Sequence, residues 1–163
     1  MSRLDSAIRR LEAQRACLDV ACTAVAAVPG VILEAGLGNG RTYDHLRSRL
    51  PGREIFVFDR QVDAHPDCIP DAAHLFLGDL FDRLPDAIAR LGRTAALIHS
   101  DIGTGEPGRN ACVAAALAPL YARLLVPGGV LASDQAMPAA TWTALPLPAG
   151  VPTGRYFLYR AGD

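Results

Sequence analysis

Between residues 31 and 134, short apolar runs alternate with segments of helical pattern, and the runs stop at a glycine-rich loop or a carboxylate. Val31-Ile32-Leu33 leads into Gly36-Leu37-Gly38-Asn39-Gly40, Glu54 to Phe58 ends at Asp59, and His74 to Leu77 ends at Gly78-Asp79. Ala95 to His99 ends at Ser100-Asp101, and a turn at Val126-Pro127-Gly128-Gly129 opens a fifth run, Val130 to Ser133, that ends at Asp134. Helical composition marks 41–50, 81–91 and 107–125, and Pro119 is expected to break or kink the last of these. Pro66 and Pro70 leave little room for a long helix between the second and third runs. Strands that read as continuous apolar runs and alternate with helices form a parallel sheet covered on both faces. Two more strand candidates, 141–145 and 155–160, are joined by a loop rich in Pro and Gly and add a terminal hairpin. The expected fold is therefore α/β: a doubly wound, three-layer αβα sandwich in which ligands bind at the carboxyl ends of the strands.

Before this pattern, Leu4, Ile8, Leu11, Leu18, Cys22 and Val25 recur at helical intervals, with Ser2 and Asp5 spaced as a capping box. Residues 1–29 read as an N-terminal helix ended by Pro29-Gly30, and 30–163 as the body of a single domain. Asp19 interrupts the apolar part and Glu12 and Arg15 precede it, so the segment is expected to be a mature cytoplasmic helix and not a signal peptide. No apolar run is long enough to span a membrane. Cys17, Cys22, Cys68 and Cys112 lack CxxC spacing and read as reduced thiols. His65, Cys68 and His74 lack a fourth ligand for zinc, so no metal site is assigned to them.

All 16 basic side chains are arginine, and the chain contains no lysine. That excludes Schiff-base and pyridoxal-phosphate enzymes, phosphate-loop NTPases built on GK[ST], and ordinary protein kinases. The formal net charge of −1 argues against a nucleic-acid partner held by phosphate contacts.

The glycine loop narrows the ligand. A dinucleotide-binding GxGxxG loop needs its third glycine where this chain has Arg41, and the third glycine comes one position early, at Gly40. An NAD-dependent oxidoreductase is disfavoured on that spacing. Glu34-Ala35-Gly36-Leu37-Gly38-Asn39-Gly40 resembles instead the first motif of class I S-adenosylmethionine-dependent methyltransferases, and the resemblance extends over nearly the whole chain from Val31. Leu125-Val126-Pro127-Gly128-Gly129-Val130-Leu131 is similar to that family's L-x-P-G-G-x-L turn, and the terminal hairpin to its reversed last strand.

The resemblance implies a Rossmann-like seven-stranded sheet, S-adenosylmethionine as cofactor, and a set of roles. Glu34, Gly36, Leu37, Gly38, Asn39 and Gly40 would approach the methionine part of the cofactor, where a Cβ would collide. Asp59, 19 residues beyond Gly40, would grip the ribose hydroxyls, with Arg60 beside it. Gly78, Asp79 and Leu80 would face the adenine, and Asp101 the transferable methyl and the acceptor. The implied reaction is in-line methyl transfer, which needs alignment above all and, for a hydroxyl or protonated amine, a base. Asp101 leads the candidates for that base, ahead of His99, Glu106 and Asp134, and His99 falls inside a strand where a core histidine is expected.

Asp101 with Asp134-Gln135 is also similar to the ligand set of magnesium-dependent catechol-type O-methyltransferases. The lysine base of those enzymes is missing, because Asp101 is followed by Ile102-Gly103-Thr104-Gly105. Magnesium is accordingly not favoured. The segment 100–108, with three glycines and a proline, is expected to be a mobile rim loop. The N-terminal helix is expected either to cover the acceptor pocket or to pack on the sheet or in a homo-oligomer interface. Without an inserted substrate domain, a small-molecule acceptor is favoured. A non-catalytic S-adenosylmethionine-binding module would keep the glycine loop and Asp59 while tolerating loss at Asp101.

Overall fold

The computed structural model describes residues 2–138 and 141–162. In chain order the elements are α1 (Arg3–Ala24), β1 (Val31–Ala35), α2 (Arg41–Arg49), β2 (Ile55–Asp59), β3 (Leu75–Leu77), α3 (Leu80–Leu91), β4 (Ala95–Ser100), α4 (Pro107–Ala122), β5 (Leu125–Ser133), β6 (Trp142–Ala144) and β7 (Phe157–Ala161). Two single-turn 3-10 helices, Pro66–Cys68 and Ala72–His74, fill the proline-marked connection before β3. The sheet has seven strands in the order β3-β2-β1-β4-β5-β7-β6, with β1 to β5 parallel and β7 antiparallel to both neighbours. Strand order reverses between β1 and β4. The crevice at their carboxyl ends is the place where such a sheet receives ligands.

The six residues of β4 are buried throughout, as a central parallel strand covered on both faces requires. One apolar layer joins Cys17, Leu18, Ala21, Cys22 and Val25 of the α1 region to Leu46, Val57, Leu97 and Val130. The other joins Leu33, Phe58, Ile98 and Leu131 to Leu84, Ala87, Leu117 and Tyr121 on α3 and α4. The second half of α1 is thus part of the core, while Leu4 and Ile8 in its first turns remain exposed.

Three local readings change, and the rim segment gains detail. The helix α1 starts at its capping box, with Ser2 and Asp5 bonded reciprocally, but it stops at Ala24, short of Pro29-Gly30. There the Arg53 guanidinium collects the free carbonyls of Val28 (2.7 Å), Val25 (2.9 Å) and Ala26 (3.0 Å), so the chain needs no further helical turn to satisfy them. Strand β5 begins at Leu125, and the supposed turn 126–129 is a bulge inside it: Ala95 pairs with Leu125 and Leu97 with Val130. Gly128 has φ +76° there, and a Cβ on Gly129 would meet the Ala96 and Ala95 carbonyl oxygens at 3.0 and 3.1 Å. Pro119 does not end α4, because it sits with Ala115 on the solvent side, where the carbonyl it leaves unbonded meets water. The rim segment after β4 is tethered. Thr104 N and Oγ1 both donate to Asn110 Oδ1 (2.9 Å each), and Asn110 Nδ2 returns a bond to the Thr104 carbonyl (2.8 Å).

Candidate active site

The loop after β1 and the loop after β4 touch at the point where strand order reverses. A Cβ on Gly36, whose φ is +95°, would lie 2.8 Å from the Asp101 carbonyl oxygen, so only glycine lets the two loops meet. Asp59, at the end of β2, braces the glycine loop from the other side. The Leu37 and Gly38 amides donate to its Oδ2 (2.8 and 3.1 Å), and the Arg60 and Gln61 amides donate to its Oδ1 (2.6 and 3.3 Å). Asp79 caps α3 by accepting from the Phe81 amide (2.9 Å) and pairs with Arg60 Nη2 (2.9 Å).

These loops line a cavity of about 720 Å³, within the range of cofactor-sized pockets. Of the residues expected at a cofactor, Gly36, Leu37, Gly38, Asn39, Asp59, Arg60, Gly78, Asp79, Leu80 and Asp101 line it together. Glu34 and Gly40 do not. Gly40 sits behind the loop, where a Cβ would collide with the Cys68 side chain. Glu34 is fully buried beneath the loop, accepting from Thr42 Oγ1 and lying 2.7 Å from His99 Nδ1. Its sequence position beside the glycines signals proximity to the loop but not the direction of its side chain, which the alternation of the strand turns inward.

The N-terminal helix, expected either to cover the acceptor pocket or to pack, adds residues that the sequence did not single out. Arg10, Leu11 and Gln14 form one wall of this cavity, and Gln14 Nε2 donates to Asp101 Oδ2 at 2.6 Å. A signal was available: Gln14 lies on the same helical face as Leu11 and Leu18, and a polar residue on a core-facing stripe calls for a partner. Arg10 Nη1 lies 3.8 Å from the same carboxylate.

Beyond Asp101 the cavity opens into a second one, of about 560 Å³. The two share Arg10, Gln14, Asp101, Gly103, Thr104 and Gln135. The second is completed by Asp134, the 152–155 loop and Tyr156. Burial pushes the Asp134 carboxyl above its ordinary value, and the nearby Asp101 charge acts in the same direction. Bonds from Gln135 Nε2 (3.0 Å) and the Gly103 (2.9 Å) and Ile102 (3.4 Å) amides oppose that rise. Glu106 stands exposed at the N-cap position of α4 without a side-chain capping bond and lines neither cavity.

His99 is a buried core residue of β4, yet it is not inert packing. Its Nε2 is hydrogen-bonded to the Tyr156 hydroxyl and its Nδ1 to Glu34. Burial alone would lower its pKa, but the Glu34 carboxylate overcomes this and holds it above 6.5. Burial pushes the Cys17 and Cys22 thiols up to about 11, which leaves both unreactive at neutral pH. His74 faces Asp71 (2.8 Å) and Glu54 (3.2 Å) instead of joining His65 and Cys68. Among the described residues no three His, Cys, Asp or Glu side chains converge on a metal position, and no helix is long and apolar enough to cross a membrane.

Residues 1–161 match the family described as S-adenosyl-L-methionine methyltransferase. The chain is similar to the crystal structure of an S-adenosyl-L-methionine methyl transferase from Silicibacter pomeroyi, with 45% sequence identity and a TM-score of 0.93 over 99% of each chain. It shares its fold with the antibiotic-resistance methyltransferase Kmr, at 14% identity and a TM-score of 0.55 over 90% of this chain and 93% of that one. It also shares it with the Methanococcus jannaschii fibrillarin pre-rRNA processing protein, at 12% identity and a TM-score of 0.54 over 83% and 68%. Among curated proteins no sequence matches the chain.

Proposed function

The chain belongs to the S-adenosyl-L-methionine methyltransferase family, and from that premise we propose that it methylates a small molecule held in the second cavity, against Asp101. When bound, S-adenosylmethionine supplies a methyl group made electrophilic by its sulfonium. The donor set fits that group. Glycines 36 and 38 leave backbone open to the first cavity, and a Cβ on Gly38 would meet nothing within 4 Å on the protein side. Asp59 and Asp79 stand at the edge of the same space, where the ribose and adenine of the cofactor would be read, with Gly78 and Leu80 beside them.

The single observation that carries the reading is the shared wall. Asp101 borders both cavities, so a group bound in one and a group bound in the other would meet beside its carboxylate. Gln14 holds that carboxylate in place and α1 roofs both spaces, giving the helix a covering and packing role at once. Holding two reactants in line is the main requirement of methyl transfer, and positioning alone contributes about 7 to 11 kcal/mol in favourable systems.

We read the reaction as one without magnesium. The Asp134 carboxylate already accepts from two backbone amides and Gln135, and Asp101 Oδ2 from Gln14, so a cation bridging them would have to displace these donors. The test is release of S-adenosylhomocysteine in the presence of small hydroxyl, carboxyl and amine compounds, with and without chelator. Turnover should survive chelation, and Asp101→Ala should bind cofactor as the wild type does while losing turnover. Equal loss of binding and turnover in Asp101→Ala would overturn the role given to Asp101.

A further inference from the structure

Glu34, His99 and Tyr156 lie in a row from beneath the glycine loop to the wall of the second cavity. All three are buried, Glu34 and His99 fully and Tyr156 with 3% exposed. Glu34 receives Thr42 Oγ1 and faces His99 Nδ1, and His99 Nε2 faces the hydroxyl of Tyr156, a residue of the second cavity's wall. Gln14, whose amide donates to Asp101, lines the same cavity as Tyr156. A buried carboxylate–imidazole pair contributes little net stability, since desolvation cancels most of its attraction. Its orientation is the informative feature. The carboxylate fixes the imidazole, which presents its second nitrogen to a hydroxyl that can meet a ligand, the order of groups by which a base and its orienting carboxylate activate a hydroxyl elsewhere.

We propose that Tyr156 is a catalytic residue that takes the proton of the methyl acceptor and passes its own to His99, with Glu34 holding the imidazole in position. The inference rests on the acceptor occupying the second cavity. As the acceptor's X–H bond breaks, its proton moves to Tyr156 Oη while the tyrosine's proton moves to His99 Nε2. The electron pair left on X forms the new bond to the methyl carbon, and the carbon–sulfur bond breaks with its pair going to sulfur, which leaves neutral. The imidazolium so formed is matched by Glu34 and later returns its proton to solvent through the tyrosine. Tyr156 never has to exist as a free phenolate, which its burial strongly disfavours. The groups facing His99 are Glu34 from β1, Tyr156 from the start of the last strand, and the more distant Asp101 and Asp134 at the ends of β4 and β5. The Glu34, Asp101 and Asp134 charges all favour the imidazolium, so the relay is open only above the His99 pKa and activity rises with pH through it.

The test uses the whole chain saturated with S-adenosylhomocysteine, as wild type and as Tyr156→Phe, with the His99 ring followed by nitrogen-15 NMR across about pH 5 to 10. The wild type should titrate above 6.5 and carry its neutral proton on Nδ1, and loss of the hydroxyl should shift that titration. A neutral proton on Nε2, a ring still doubly protonated at the alkaline end, or an unmoved titration in Tyr156→Phe overturns the relay. The second arm takes the best acceptor from the panel of hydroxyl, carboxyl and amine compounds. There Tyr156→Phe should lower kcat about 100-fold, leave KM for S-adenosylmethionine within twofold, and erase the acid limb of the pH profile. Unchanged kcat and an intact acid limb overturn the relay. Absence of wild-type turnover across the panel overturns the acceptor reading instead, and the NMR arm then decides the relay alone.

Discussion

Asp59→Asn removes one carboxylate oxygen from the set of bonds that holds the glycine loop. Asp59 Oδ2 accepts from the Leu37 and Gly38 amides, and Oδ1 from Arg60 and Gln61. An asparagine whose oxygen keeps the Arg60 and Gln61 amides turns an NH2 group toward Leu37 and Gly38, donor against donor. A bond to a charged acceptor contributes about 1.5–3 kcal/mol. Discounting two such bonds by half for the half-buried position leaves about 2 kcal/mol. If that energy holds the loop ready for the cofactor, its loss lowers affinity for S-adenosylhomocysteine about 30-fold. Calorimetric titration measures the affinity, and hydrogen exchange measures the loop. Exchange at Leu37 and Gly38 should quicken, while the Gly36 amide, bonded to the Phe58 carbonyl at 2.9 Å, should hold its rate. Exchange at Leu37 and Gly38 equal to wild type would refute the bracing argument even if affinity fell, because Asp59 would then act only by touching the ligand.

Gly38→Val should fold but fail to bind cofactor, since the side chain is forced into a left-handed φ of +49° and projects into the open cavity. A thermal melt close to that of wild type with no calorimetric signal for S-adenosylhomocysteine is the expected pair of results. For Asp134 the folded pKa is raised above 3.8, burial being the largest cause. Its contribution to stability is therefore present below 3.8 and is lost as pH rises through the folded value. The melting temperature of wild type relative to Asp134→Asn should fall as pH is raised from about 4 toward neutral, and a pH-independent difference between the two would contradict this.

The strands and the glycine loop were legible because they rest on local signals: uninterrupted apolar runs bounded by glycine and aspartate. The β5 bulge was not, because Pro127-Gly128-Gly129 carries the same composition whether the chain turns or bulges, and only its pairing with Ala95 to Leu97 decides. The end of α1 was misjudged for a similar reason, since the group that finishes it, Arg53, is supplied from just before β2, beyond β1 and α2. At the site, the strand-end carboxylates and the glycine loop pointed to the carboxyl edge of the sheet, the family resemblance supplied the individual residues, and ten of them line one cavity. Glu34, near the end of β1, turns its side chain to Thr42 and His99 beneath the glycine loop. Tyr156 had no local mark of function, lying 57 residues from the histidine it meets, and Gln14 was marked only as a polar residue on a core-facing helical stripe. The missing lysine kept its value, since it turned attention from a catechol-type base to a carboxylate, a histidine or water, and the tyrosine of this crevice came only with the structure.

The central claim is that the first cavity takes S-adenosylmethionine. Calorimetric titration of the whole chain with S-adenosylmethionine, S-adenosylhomocysteine and NAD tests it most directly. One equivalent each of the first two should bind and NAD should give no signal; binding of NAD without either sulfur compound would contradict the account.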